Sequence, residues 1–210
     1  MRILALNASP RRDGNSSQLL AAAASGATAS GADVSSVFLA DQVSGVLDDC
    51  RTCRGSDGRC TIPDEYESLL LDQVVPADGL LIATPLHYYG MAARLKAFFD
   101  RVFCYTSAAA PEADRVLSAL PGKRIGLLIA SEETYPSASL GLVHQVQEIA
   151  RYNRQHLVGV VYGHGNSRGD VANDPRRPLD QATELGRTLF TAPATDYHFD
   201  TPRGHSVWGV

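Results

Sequence analysis

Two short stretches hold the residues whose types and spacing can do chemistry. The first, NASPRRDGNSSQLL, runs from Asn7 to Leu20. Ser9, Ser16 and Ser17 offer hydroxyls, Asn15 an amide N–H, and Arg11 or Arg12 a guanidinium, while Gly14 lets the backbone bend inward. Such donors, gathered where a helix begins, suit an anion with several acceptor oxygens, above all a terminal phosphate. A polar turn with a serine cap and nothing bound is the plainer reading of the same residues. The second stretch, ATPLHYYGMAARLKAFFDR, runs from Ala83 to Arg101. Thr84, Pro85, Leu86 and His87 supply backbone groups, and Tyr88 and Tyr89 supply flat aromatic surface, as a planar ring requires. His87 and Tyr88 are also the side chains here able to position or protonate a substrate.

Other chemistries have no foothold. No G-x-G-x-x-G follows the first apolar run, and the chain has no G-x-x-x-x-G-K-[ST] or H-E-x-x-H. The net charge of −4 weighs against a nucleic-acid partner. No apolar run approaches a membrane span, and MRILALN is too short an apolar run for a signal peptide, so a cytoplasmic protein is expected. Four cysteines are too few for a disulfide scaffold.

The elements that must position the two stretches alternate along the chain. Short apolar runs predict strands at Arg2–Leu6, Val34–Leu39, Gly79–Ala83, Arg124–Ala130 and Leu157–Tyr162. Helical spacing predicts helices at Ser16–Thr28, Asp64–Val75, Met91–Phe103, Ser139–Tyr152 and Leu179–Phe190. The clearest stripe is Met91, Leu95, Phe98, Phe99, Val102 and Phe103. This alternation predicts a three-layer α/β domain with right-handed crossovers, and the expected doubly wound five-stranded parallel sheet has the order 2-1-3-4-5 known for one common arrangement of this kind. In that order the first and third strands are neighbours, so the two stretches flank one crevice beyond the strand ends. A ring held near aromatics, with its phosphate at the neighbouring helix, describes a flavin mononucleotide.

On these residues the chain resembles the NADPH-dependent FMN reductase and iron–sulfur flavoprotein superfamily. Ala8–Ser17 matches its GSPRKNGNT-like turn, and Thr84–Arg101 matches its Thr-Pro-hydrophobic turn with tyrosine and a following LKxFxDR. Gly163–Asn166, Gly169-Asp170 and Leu185-Gly186 match its late glycine-rich turn and helix. The likeness spans about 190 of the 210 residues. It implies a flavodoxin-like domain over 1–193, a tail over 194–210, bound FMN, and NADPH or NADH as reductant. By the same resemblance Ser9, Arg11, Asn15, Ser16 and Ser17 hold the phosphate. Thr84, Pro85, Leu86, His87 and Tyr88 lie along the ring, and Ser131–Glu133 form a third face, where Glu132 and Glu133 stand in place of small residues.

The implied activity is an oxidoreductase acting on a small acceptor, a quinone, another flavin or a conjugated molecule. An electron-transfer flavoprotein with a protein partner, with or without a cluster, and a cofactor-free binding module are the alternatives. The loop CRTCRGSDGRC carries Cys50, Cys53 and Cys60, with Ser56 where iron–sulfur relatives would have a third cysteine, and Cys104 lies on a distant stretch. The expectation is no metal: remnant cysteines that pack or line a dimer contact, with a Cys50–Cys53 redox pair or a zinc lacking a nearby histidine as other readings. A homodimer or tetramer is expected. The long 40–63 loop, the 105–121 segment and the tail, with Tyr197, Phe199 and Trp208, are the candidates to close the site.

Overall fold

The computed structural model describes residues 1–49 and 52–194. The five apolar runs form the parallel strands β1 (Arg2–Asn7), β2 (Asp33–Phe38), β3 (Gly79–His87), β5 (Arg124–Ser131) and β6 (His156–His164). A two-residue strand, β4 (Gly90–Met91), pairs antiparallel with the end of β3. The parallel strands lie in the order β2-β1-β3-β5-β6, which is the expected 2-1-3-4-5 when they alone are counted.

Strand alternation divides the core in two. Ile3 and Ala5 of β1, Leu81 and Ala83 of β3, and Leu128 of β5 face α1 (Asn15–Ala29) and α7 (Pro178–Thr188). Leu4 and Leu6, Leu80 and Ile82, and Leu127 and Ile129 face the opposite layer, which includes α4 (Ala93–Thr106) and α6 (Leu140–Tyr152). Short α2 (Leu39–Gln42) follows β2. The α1–α7 contact is backbone on backbone: a Cβ on Gly26 would lie 1.9 Å from the Thr183 carbonyl oxygen, and one on Gly186 1.9 Å from that of Ala23.

Three elements depart from the sequence reading. The Asp64–Val75 helix is a single α turn, α3 (Tyr66–Ser68), continuing as a π-helix over Leu69–Val74. The fourth helix begins at Ala93, not Met91, because Gly90 and Met91 pair with β3. Met91, Leu95, Phe98 and Val102 are buried as the stripe requires, but Phe103 is 54% exposed at its edge. The 105–121 segment, a candidate cover for the site with no helix predicted in it, contains α5 (Ala113–Ala119).

One buried ion pair ties the long 43–64 loop to the core. Arg101, 1% exposed, grips both Asp64 oxygens at 2.5 and 2.9 Å, and its guanidinium lies 4.2 Å over the Tyr66 ring. Burial pushes the Asp64 carboxyl up, but Arg101 and the Gly45 and Ser44 amides outweigh it and bring it down to about 2. No helix among the described residues is long and apolar enough to cross a membrane.

Candidate functional site

Turns at the carboxyl ends of β1, β3, β5 and β6 meet around an open cleft of about 290 Å³. Each is shaped by its own side chains. In the first, the buried Asn7 accepts from the Ser9 amide at 2.9 Å and donates to the Ser17 hydroxyl at 2.8 Å. The Ser17 hydroxyl donates on to the Arg11 carbonyl at 2.9 Å, and Ser9 Oγ accepts from the Arg11 amide at 3.1 Å. The turn therefore leads into α1 in a fixed conformation.

Helix α1 starts without a side-chain cap and without an acidic residue in its first turn. Gln18 is the first residue whose amide closes back, onto the Gly14 carbonyl at 3.1 Å. Among the described residues the amides of Asn15, Ser16 and Ser17 have no acceptor, and Ser16, Ser9 and Arg11 line the cleft beside them. Such a helix end favours an anion. Arg12 is committed elsewhere: it binds both Asp41 oxygens at 2.8 and 2.7 Å and lies 4.5 Å over the Phe38 ring. That leaves Arg11 as the guanidinium of this turn facing the cleft.

Two of the expected phosphate residues have other work. Asn15 lines the cleft, but its amide nitrogen donates to the Gly165 and Ser167 carbonyls at 3.1 and 3.0 Å. Its oxygen accepts from the Gly169 and Val171 amides at 2.9 and 3.3 Å, so the side chain joins two turns rather than offering a free donor. Ser17 is absent from the cleft wall, its hydroxyl being bound within the turn.

On the β3 side Pro85, Leu86 and His87 line the cleft. Thr84 does not. It is fully buried, donates to the Pro85 carbonyl at 2.9 Å and accepts from the Ala92 amide at 3.2 Å, bracing the entry to α4. Tyr88 and Tyr89 occupy consecutive left-handed conformations, φ 48° and 63°, a strain that non-glycine residues rarely carry. Tyr88 is 99% exposed on the β3–β4 hairpin and is not among the residues that line the cleft. Tyr89 donates to Glu133 at 3.3 Å, and the Glu133 charge raises its phenol. On the β5 side Ser131 and Glu132 line the cleft, while Glu133 is held to one side.

The fourth wall, Gly165–Arg168, was seen in the sequence only as a turn of the right composition and not assigned to the site. The Gly165 amide donates to the Ser131 carbonyl at 2.9 Å, and a Cβ there would lie 2.7 Å from Asn15 Nδ2, so only glycine allows the approach. Asp174 anchors the same region, accepting from the His164 amide at 2.8 Å and pairing with Arg176 at 2.9 Å. Burial pushes the Asp174 carboxyl up, and Arg176 with two backbone amides more than reverses this, to about 2. A carboxylate depressed from 3.8 to about 2 contributes stability that is complete above the unfolded value and lost as pH falls through the folded one. Acid unfolding should therefore steepen between about pH 4 and pH 2, and Asp174→Asn should flatten that limb while lowering stability near pH 7. A limb unchanged in Asp174→Asn would remove Asp174 from the account.

The family model of NADPH-dependent FMN reductase matches residues 1–167. The chain belongs to the NADPH-dependent FMN reductase family. It is 29% identical over 101 residues to an iron–sulfur flavoprotein of Methanocaldococcus jannaschii, a match spanning 48% of this chain and 51% of that protein. It is 25% identical over 185 residues, 88% of this chain and 96% of the relative, to a putative NAD(P)H-dependent FMN-containing oxidoreductase of Bacillus subtilis. Among solved structures, an NAD(P)H:quinone oxidoreductase of Methanothermobacter marburgensis superposes with a TM-score of 0.68 at 20% identity, covering 93% of this chain and 99% of that one. That likeness shows the flavodoxin-like fold.

FMN, the cofactor of an NADPH-dependent FMN reductase, fits the donor set. A dianionic phosphate matches free helix amides, buried serine hydroxyls and one guanidinium. Cys50 and Arg51 lie outside the described residues, as do the tail aromatics Tyr197, Phe199 and Trp208. Cys104, expected far from the loop, is brought to it by α4: it lines a small cavity with Cys53 and Cys60, and Arg54 donates to its carbonyl at 2.8 Å. Among the described residues no three Cys, His, Asp or Glu converge as metal ligands. Among the described residues, neither the 40–63 loop nor the 105–121 segment contributes to the cleft wall.

Proposed function

We propose that this protein is an FMN-dependent NAD(P)H oxidoreductase that reduces a small flat acceptor, such as a quinone or a free flavin. The observation that carries the reading is the uncapped start of α1, with Ser9, Ser16 and Arg11, opposite the Pro85–His87 wall of the same cleft. FMN, when bound, supplies a ring that accepts hydride from a nicotinamide and returns electrons to the acceptor. The chain's own part is to bind and orient. Ser9 and Ser16 donate hydroxyl hydrogen bonds, the first-turn amides add the helix dipole, and Arg11 neutralises charge. Pro85 and Leu86 present an apolar wall to a ring, and His87 holds a proton or a hydrogen bond toward the acceptor. Ser131 and Glu132 border the opposite side, where the Glu132 carboxylate disfavours an anionic acceptor.

Steady NADPH consumption with a panel of quinones, nitroaromatics and free flavins tests this reading. A yellow protein that NADPH does not bleach would favour electron transfer to a protein partner, and a protein that takes up no FMN would favour a binding module. Arg11→Ala should weaken FMN binding by about 1.5–3 kcal/mol, the range for a hydrogen bond to a charged group. Unchanged affinity by fluorescence titration would move the role to the backbone. We also infer a homodimer, motivated by the exposed Tyr88, Tyr89 and Tyr135. Light scattering that finds only monomer at assay concentration would reject it.

A further inference from the structure

Arg168 is the second guanidinium in the cleft wall. It sits on the turn that Asn15 pins through four hydrogen bonds, so its backbone is fixed relative to the start of α1. Its side chain reaches across the mouth to Asp13 at 3.0 Å, joining the first and fourth walls. Both partners are largely in solvent, with side chains 60% and 67% exposed. A pair so placed contributes little and exchanges easily. It contrasts with Arg12, which is held by both oxygens of Asp41 and by an aromatic ring.

The inner part of the cleft already answers one phosphate. Ser9 and Ser16 are buried, the three amides lie behind them, and Arg11 lies alongside. Arg168 is surplus to that set, and Asp13 keeps it neutralised while nothing else is present. A phosphorylated ligand arriving from solvent meets a guanidinium whose present partner is a single exposed carboxylate. A phosphate offers more charge and a bidentate geometry, so the exchange favours the ligand.

We propose that Arg168 is a binding residue for the reductant: it leaves Asp13 to bind a phosphate of the pyridine nucleotide, which the mouth of the cleft receives after FMN. The proposal rests on the oxidoreductase reading above. The phosphate has two possible sources, the 2′-phosphate found only in NADP(H) and the pyrophosphate common to both nucleotides. Asp13 is the counterweight in either case, since its carboxylate competes for Arg168 and repels the incoming anion.

The test uses FMN-loaded protein and calorimetric titration with NADP⁺ and NAD⁺, beside steady-state KM values for NADPH and NADH. Arg168→Ala should raise the NADP⁺ dissociation constant about tenfold, the lower end for a charge-assisted contact near solvent. Asp13→Asn should lower it about threefold, as expected for removing an exposed competitor. A loss confined to NADP⁺ assigns the contact to the 2′-phosphate, and an equal loss for both nucleotides assigns it to the pyrophosphate; either supports the proposal. Unchanged nucleotide affinity in Arg168→Ala overturns it, as does a variant whose only defect is weaker FMN binding by fluorescence titration. Failure of the wild-type protein to bind FMN or oxidise NADPH would instead reject the underlying function. The exposed position of Arg168 leaves folding intact, which thermal unfolding of each variant checks.

Discussion

Gly186→Ala should destabilise the protein by about 3 kcal/mol or more, although glycine-to-alanine changes inside helices ordinarily stabilise by up to about 1 kcal/mol. The reversal comes from what the methyl meets. A Cβ on Gly186 would lie 1.9 Å from the Ala23 carbonyl oxygen and 2.7 Å from its carbon, and neither is the movable end of a side chain. Only a shift of α7 away from α1 relieves the clash. That shift pulls Leu185 and Ala182 out of the core they share with Leu19 and Ala23. For a chain of 210 residues, about 3 kcal/mol corresponds to a fall in Tm of roughly 10 °C. Gly141→Ala is the control: it also lies in a helix, and its Cβ would meet only the Tyr89 carbonyl at an ordinary 3.8 Å. Calorimetry that finds both variants as stable as the parent would mean that the two helices do not cross as closely as described.

Asp64→Ala should cost about 3–5 kcal/mol, because it strands a buried guanidinium without its counter-charge. Arg101 has little else to turn to. Its Nε is buried without a hydrogen-bond partner, and its other neighbours are the Tyr66 ring and the Cys60 sulfur, 3.9 Å from Nη2. Asp64 also accepts from the Ser44 and Gly45 amides at 2.9 and 3.1 Å, so the 43–64 loop loses an anchor at the same time. Replacing both partners with apolar residues, Asp64→Leu with Arg101→Met, should be milder than the single change, since no unpaired charge remains. Denaturant unfolding in which the double variant is the weaker of the two would show that the pair stabilises beyond mutual neutralisation.

These two sites also explain what the sequence made legible. The LKxFxDR stretch that marks the family is a packing motif: Phe98 is buried, Arg101 holds Asp64, and Lys96 with Asp100 forms a pair on the helix surface at 2.5 Å. Leu185-Gly186 is the helix crossing. Periodicity located β1, β3 and β5 because strands buried along most of their length read as unbroken apolar runs, while the strand order is what the doubly wound arrangement implies. The first turn was legible as an uncapped helix start rich in donors because helix-start chemistry is local. The individual duties of Asn15, Ser17 and Thr84 were not, because each is set by partners brought near only by the fold: Asn15 by Gly165–Val171, Thr84 by Ala92. Tyr88 is expected at the ring from its type, and its full exposure was not legible because the β3–β4 hairpin that carries it rests on two residues, too short to give a pattern. Cys104 was set aside for its distance along the chain, which α4 removes.

The bonds from Asn15 to Gly165, Ser167, Gly169 and Val171 span 150 to 156 residues of sequence. Contacts of such separation form late, since the loop between them must be ordered before they are gained. The cleft is thus a product of completed assembly rather than a nucleus for it. During synthesis the first turn is made about 150 residues ahead of the fourth wall. A ligand that needs all the walls then draws on the entire folding equilibrium and stabilises the molecule as one cooperative unit, not the turn it touches.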